Sequence, residues 1–267
     1  MKRFATILLI NCSVMGSFVN AVQSQNKEAA PDELTEIISE IEEAANNRDL
    51  ERLMEYHDQD FTNTDGLTAD TLTKAVTQMW DKYPQLEYST EIQSWSESEN
   101  GLVAETITTI KGVKNIQGRK TSLDSTIKSR QYFEEDKLQR QEILAEQSKL
   151  TSGDNPPQVE VVAPSTVKPG AKYNFDLIVN EPLGDRVLLG GVQEEKTAGN
   201  LYLNPTAIEL EPLPAGGIYK VATAPLLPDS NWLSAVLVRG DGITMITHRV
   251  NIQEDQEDQE ELVPLKQ

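Results

Sequence analysis

From Asp32 onward, apolar residues recur at three- and four-residue spacing. Leu34, Ile37, Ile38, Ile41, Ala44 and Ala45 fall on one face of a predicted helix. Asp32 stands at its start as a cap, Glu33 and Glu36 suit the positive end of its dipole, and Asn46-Asn47-Arg48 breaks it. Asp49 is placed to cap a second helix with Leu50, Leu53 and Met54 inward. A third is predicted over about 69–83, with Leu72, Ala75, Val76, Met79, Trp80 and Tyr83 on its apolar face and Pro84 following. The period then changes to two: Leu86, Tyr88, Thr90 and Ile92 alternate with polar neighbours, as in a half-buried strand. Further strands are predicted at 102–111, 120–133 and 138–150, separated by turns at 97–101, 115–118 and 134–137. Helices followed by a long-stranded antiparallel meander predict an α+β unit over 32–150.

The segment 151–157, Thr-Ser-Gly-Asp-Asn-Pro-Pro, has the composition of a linker. Beyond it no helical stripe is visible. Short strands are predicted at 158–163, 172–179, 187–192, 202–210, 217–223, 232–239 and 244–252, with turn signals such as Lys168-Pro169-Gly170 and Gly240-Asp241-Gly242. This spacing predicts an all-β, immunoglobulin-like β-sandwich over 158–252. The remaining 253–267 is an acidic, low-complexity run expected to be a disordered tail.

Ahead of the first helix, Lys2 and Arg3 precede an apolar run at 4–19, and Val19-Asn20-Ala21 offers a cleavage site. Residues 1–21 therefore read as a signal peptide and 22–31 as a flexible lead, which implies export to the periplasm or the medium. Leu9-Ile10-Asn11-Cys12 resembles a lipobox, so a lipoprotein anchored through Cys12 is the alternative. Membrane association is expected only in that case. Cys12 is the single cysteine, so a chain cleaved after Ala21 has no thiol nucleophile, thiolate metal site or disulfide, as suits a bacterial exported protein.

Charge narrows the partners. There are 43 acidic and 24 basic residues, a net charge of −19, and removal of Lys2 and Arg3 makes it two units more negative. Nucleic acid is an unsuitable partner for such a chain. The two histidines, His57 and His248, have no zinc spacing, and the acidic tail lacks the glycine turn of a calcium loop. No glycine-rich phosphate or dinucleotide motif is present, so neither a metal nor a cofactor is expected.

Asn46-Asn47-Arg48-Asp49-Leu50-Glu51-Arg52-Leu53 and Tyr56-His57-Asp58-Gln59-Asp60-Phe61 resemble a helix–helix corner and the turn into the first strand of the nuclear transport factor 2-like (SnoaL-like) family. The resemblance covers about 32–150. It implies helices on a curved antiparallel sheet, forming a cone with an open mouth, and a family that includes isomerases, dehydratases, cyclases and non-catalytic binding modules. In steroid isomerase-like members the catalytic aspartate follows the short first strand, where Asp65 stands here. The oxyanion-hole positions hold Ile41 and Ser129 instead of a tyrosine and a carboxylic acid. A base without oxyanion donors lacks a stabilisation of a few kcal/mol per donor, on the order of that seen on donor removal.

Asp65 is thus either that base or a turn residue before Gly66. His57 is either a general base oriented by Asp58 or Asp60, or a helix-end residue. Trp80, Tyr83, Tyr88, Trp95 and Tyr132 either line a ligand pocket or fill the core. Arg130, Glu142 and Glu146 reach into the cone or away from it according to which strand face is concave. The expected function is a non-catalytic binding protein taking a small hydrophobic ligand or a protein partner. The alternative is an isomerase, dehydratase or cyclase acting on a small hydrophobic substrate.

Overall fold

The computed structural model describes residues 29–254 except Gln117, Leu183, Asp185, Pro214 and Ala215. The expected signal peptide, most of the lead and the tail from 255 lie outside the described residues. Helices α1 (Asp32–Asn47), α2 (Leu50–Glu55) and α3 (Ala69–Lys82) surround the short strand β1 (His57–Asn63). Four long strands follow: β2 (Gln85–Ser98), β3 (Gly101–Ile116), β4 (Arg119–Glu134) and β5 (Lys137–Gly153). The C-terminal part comprises β6 (Val159–Val162), β7 (Thr166–Val167), β8 (Lys172–Val179), β9 (Leu189–Lys196), α4 (Gly199–Leu203), β10 (Glu211–Pro212), β11 (Gly217–Thr223), β12 (Asp229–Arg239) and β13 (Gly242–Ile252).

Local chemistry accounts for the helix ends. Asp49 caps α2 by accepting from the Arg52 amide, and Thr68 with Thr71 forms a capping box on α3. At the α1 terminus Arg48 adopts a left-handed conformation with φ 58°. The Asn46 side chain then clasps β2, donating to the Tyr88 carbonyl at 2.9 Å and accepting from the Tyr88 amide at 2.8 Å. Asp32 lies within α1, whose N-cap position is held by Pro31 without a side-chain cap.

The expected α+β cone followed by a separate immunoglobulin-like sandwich is not what forms. Of the described residues, 56% lie in strands and 19% in helices, so antiparallel sheet sets the architecture and the helices are small additions. One ten-stranded sheet runs through both halves in the order β10-β9-β12-β13-β5-β4-β3-β2, with β1 paired to β5 and β7 to β13. The physical reason is the length of β5. Its first half takes β1 as a parallel neighbour (Asn63 opposite Gln141), and its second half takes β13 as an antiparallel one (His248 opposite Gln147 to Gly242 opposite Gly153). Thr151, Ser152 and Gly153, read from composition as linker, are ladder residues of this strand. A second sheet of only three strands, β11-β8-β6, lies outside it.

Strand periodicity shows how the two halves are covered. On β4, Ser129, Gln131 and Phe133 share a face, and Phe133 packs with Leu34, Ile37 and Ile38 of α1. Across the ladder, with one extra residue accommodated between Ile143 and Ala145, the same face continues through Glu146 and Ser148 to Thr247, Arg249, Trp232 and Ser234. The opposite face of β12 and β13 carries Leu233, Ala235, Leu237, Ile246 and Val250, which form a core with Tyr173, Phe175 and Leu177 of β8. Helices therefore cover one face of the sheet at its N-terminal end, and the small sheet covers the other face at its C-terminal end. The helix-side face is crossed by hydroxyl pairs in direct register: Thr90–Thr108 (3.1 Å), Thr106–Ser129 (3.1 Å), Ser125–Ser148 (2.7 Å), Thr121–Ser152 (2.9 Å) and Ser234–Thr247 (3.0 Å). Each such pair contributes on the order of 0.2–1 kcal/mol.

Because β13 needs β5 as its neighbour, residues 154–254 expressed alone should give no cooperative thermal transition by circular dichroism. A sharp, reversible melt of that fragment would contradict the single-sheet description.

Candidate functional site

Two buried polar assemblies lie on the helix-side face. The first is built around Asp65. After β1 the Asn63 side-chain carbonyl accepts from the Asp65 amide (3.0 Å) and the Leu67 amide (2.8 Å), folding the turn, and Gly66 supplies its positive φ of 82°. Helix α4 presses on this turn: a Cβ on Gly199 would stand 2.9 Å from the Gly66 carbonyl oxygen, which requires glycine there. The Asp65 carboxylate is thereby held against β13. Arg249 donates to it twice, at 2.8 and 2.5 Å, and the Tyr202 hydroxyl donates at 2.6 Å. Arg249 also donates to Glu146 (3.1 and 3.3 Å) and Ser230 (3.1 Å), while the Trp232 indole N–H donates to Glu146 at 2.8 Å. The Arg249 guanidinium lies 5.5 Å from the Trp232 ring centroid, and Tyr202 meets that ring edge-on.

Neither the Asp65 nor the Arg249 side chain has exposed surface. Burial pushes the Asp65 carboxyl up, but the Arg249 hydrogen bonds and charge, with Tyr202 and Thr197, outweigh it and hold the carboxyl below its usual range. Burial opposes the charge on Arg249 too, yet Asp65 and Glu146 keep it firmly protonated. A general base must offer a lone pair to substrate. Asp65 is enclosed and bonded at both oxygens, so it is an ion-pair partner.

The second assembly is a cavity of about 220 Å³ between α1, α2, α3 and the sheet. Ile38, Ile41, Ala45, Leu53, Leu72, Val76, Ile110 and Leu138 supply apolar walls, and His57, Tyr88, Thr90, Thr108, Gln131, Gln141 and Glu42 supply polar groups. His57 is buried at the start of β1. Its Nδ1 lies 2.9 Å from the Leu53 carbonyl oxygen and its ring stands edge-on to Phe61. Burial pushes its pKa down, against a smaller opposing effect of the Leu53 bond, so the ring is neutral. Gln131 is 8% exposed, and its Oε1 is buried without a hydrogen-bond partner among the described residues. A wider groove of about 1110 Å³, running past Ile92 and Trp95, shares Ile38, Glu42 and Thr90 with the cavity. Glu42 accepts from the Thr90 amide at 2.6 Å at that junction. The groove is larger, but the inner cavity joins apolar walls to the polar side chains of His57, Gln131 and Gln141, which makes the latter the better site.

The remaining sequence candidates divide. Tyr88 lines the cavity. Trp80 is buried with Ala44, Ala45 and Leu53, and Tyr83 is buried beneath the Lys114 ammonium, 4.4 Å from its ring centroid. Arg130, Tyr132 and Glu142 lie on the sheet face turned away from the helices. There Arg130 bonds Glu105 (2.7 Å) and Glu142 (3.2 Å), the Tyr132 hydroxyl donates to Glu142 (3.0 Å), and Arg140 pairs with Glu142 and stacks 3.8 Å over Tyr132. His248 contacts the Pro164 carbonyl oxygen at 3.0 Å, far from His57 in the sheet order. Gln131 and Gln141 were missed, although Phe133 gave the phase: the residue two before a buried aromatic on a strand shares its face. Among the described residues no group of three or more His, Cys, Asp or Glu is placed to hold a metal ion. Among them, too, no helix is long and apolar enough to cross a membrane, which leaves β-barrels unaddressed.

Residues 154–253 match the family model described as "Domain of unknown function (DUF8623)". The match begins immediately after β5, so it contains Arg249, Tyr202 and Trp232 and leaves out Asp65, His57 and the cavity. No curated protein matches the chain. Among solved structures, Bd1075 of Bdellovibrio bacteriovorus is 16% identical with a TM-score of 0.32, covering 41% of this chain and 38% of its own. AclR, described as a putative hydroxylase from Streptomyces galilaeus, is 15% identical with a TM-score of 0.30, covering 41% and 75%. The matched region thus spans under two fifths of the Bdellovibrio protein, and at these TM-scores neither likeness establishes a shared fold.

The depressed pKa of His57 has a definite consequence for stability. The folded chain resists protonation that the unfolded chain accepts near the ordinary value of 6.5. Its contribution is complete above that value and is lost as pH falls toward the folded pKa, with a slope of up to about 1.4 kcal/mol per pH unit. Denaturant unfolding from pH 7.5 downward should show this decline, and His57→Gln should remove it. An identical decline in the variant would contradict the assignment.

Proposed function

We propose that the protein is a non-catalytic binding protein that takes a small, mostly apolar ligand into the cavity between the helices and the sheet. The observation that carries this reading is the cavity itself, in which Ile38, Ile41, Leu53 and Val76 join the polar side chains of His57, Gln131 and Gln141. Apolar walls with a few convergent polar groups are the usual composition of a ligand site. At about 220 Å³ the cavity suits a compact molecule, and the adjoining groove at Ile38, Glu42 and Thr90 gives an entrance. An isomerase-type reading lacks support, since Asp65 is enclosed by Arg249 and Tyr202 and no oxyanion donor stands at Ile41.

Titration with neutral bicyclic aromatics should shift the amide resonances of Ile41, His57, Val76, Tyr88 and Gln131. Val76→Phe, which fills the cavity, should keep the circular dichroism spectrum and abolish those shifts. Shifts that persist in Val76→Phe, or that map elsewhere on the chain, would contradict the reading.

A further inference from the structure

We infer that the ligand is a cationic amphiphile, with an apolar body in the inner cavity and an ammonium group held at the cavity mouth by Glu42. The inference rests on the binding-cavity reading above and specifies its ligand.

The mouth is formed by the residues that the inner cavity and the groove share, Ile38, Glu42 and Thr90. Glu42 is half-buried there on α1, and its carboxylate has a fixed position. Oε2 accepts from the Thr90 amide at 2.6 Å. Two residues earlier on β2, Tyr88 turns both its backbone groups away from β3 toward Asn46, and Thr90 keeps the same sense. The carboxylate therefore stands against the outer edge of β2, at the mouth. Its Oε1 has no partner among the described residues and remains accessible, unlike the enclosed Oε1 of Gln131.

No cation balances this group. Among the described residues Glu42 is the only charged side chain lining the inner cavity, and the groove adds only Glu97. Arg52 of α2 is engaged with Glu40 and Glu43, and Arg48 donates to the Tyr83 carbonyl. The positive N-terminal end of α1 is offset by Asp32 and Glu33 in its first turn. His57, deeper in the cavity, is neutral.

The mouth thus presents negative charge to whatever enters. A carboxylate or phosphate meets Glu42 and Glu97 without a counter-ion, whereas an ammonium donates to Oε1 in a charge-assisted bond. The side-chain amides of Gln131 and Gln141 offer donors and acceptors alike, so the sign of the preferred charge is left to Glu42. Deeper in, Ile41, Leu53, Leu72 and Val76 offer no counter-ion, so the charge stays at the mouth and the body behind it is apolar.

The test uses 2-phenylethylammonium, 2-phenylethanol and phenylacetate, which carry a positive, a neutral and a negative group on nearly the same body. Isothermal titration of the full chain at low salt should rank them in that order, with the amine at least about tenfold tighter than the alcohol. Glu42→Gln keeps an acceptor for the Thr90 amide, so it should retain the circular dichroism spectrum and alcohol binding while the amine-to-alcohol ratio falls toward one. Glu91→Gln removes the same charge from the opposite face of β2 and should leave the ratio in place. If Glu42→Gln does not fold, the Thr90 amide resonance decides, since the amine should move it further than the alcohol does. Equal affinities for amine and alcohol, a preference that survives Glu42→Gln, or an equal loss in Glu91→Gln would overturn the cationic inference and leave the binding cavity standing. Failure of all three compounds to bind would overturn the cavity reading and the inference together.

Discussion

The bidentate pair between Asp65 and Arg249 is the contact through which the two ends of the chain depend on each other. Its partners are 184 residues apart and neither side chain is exposed. Removing two charges from water costs several kcal/mol per ion, and only close geometry with every remaining donor satisfied offsets it. The surroundings meet that condition. Tyr202 completes Asp65, Glu146 and Ser230 take the other Arg249 donors, and Trp232 binds Glu146 and flanks the guanidinium. Removing Arg249 leaves Asp65 buried without its cation, and removing Asp65 leaves Arg249 with Glu146 alone, which is why the β1–α3 turn and β13 are fixed together.

The position of this pair follows from how the sheet is covered. Helices cover one face at the N-terminal end, and the three-stranded sheet covers the opposite face at the C-terminal end. On the helix-side face of β12 and β13 the helix layer gives way to the turn after β1 and to α4. A polar cluster seals that stretch of the face. The same arrangement assigns the chemistry. Asp65 is consumed by structure, while His57 and Gln131 are among the polar residues that line the cavity. Both are held by elements that the pair helps to position, β1 directly and β4 through β5.

Much of the N-terminal local structure is legible in the sequence, because its signals are local. The stripe from Leu34 to Ala45 and the capping Asp49 specify α1 and α2 without reference to the rest of the chain. The continuous sheet is not legible, since nothing in residues 137–153 states that β5 exchanges one neighbour for another halfway along. Composition misleads at Thr151-Ser152-Gly153, where turn-forming residues extend a strand. The faces of β4 are obscured because both carry polar residues: Ser125, Ser129 and Gln131 on the helix side, and Asp124, Lys128 and Arg130 on the other. Hydroxyl pairs interrupt the apolar stripe that normally marks an inward face, which leaves Leu123, Ile127 and Phe133 to give the phase. That is why Arg130, Tyr132 and Glu142 read as pocket candidates while Gln131, between them, did not. Arg249 was invisible for a different reason: a lone arginine in a predicted strand carries no mark of the buried carboxylate it will meet.

The most direct test is a double-mutant cycle on the full chain, with Asp65→Asn, Arg249→Met and the combination, each unfolded in denaturant. The unmodified chain should unfold in one transition. Each single substitution should cost about 3–5 kcal/mol, and the double should cost less than the sum by about 1–3 kcal/mol, because only Glu146 then lacks its cation and it keeps the Trp232 hydrogen bond. Strictly additive losses, or two separate transitions in the unmodified chain, would contradict the claim that this pair joins the halves into one folding unit.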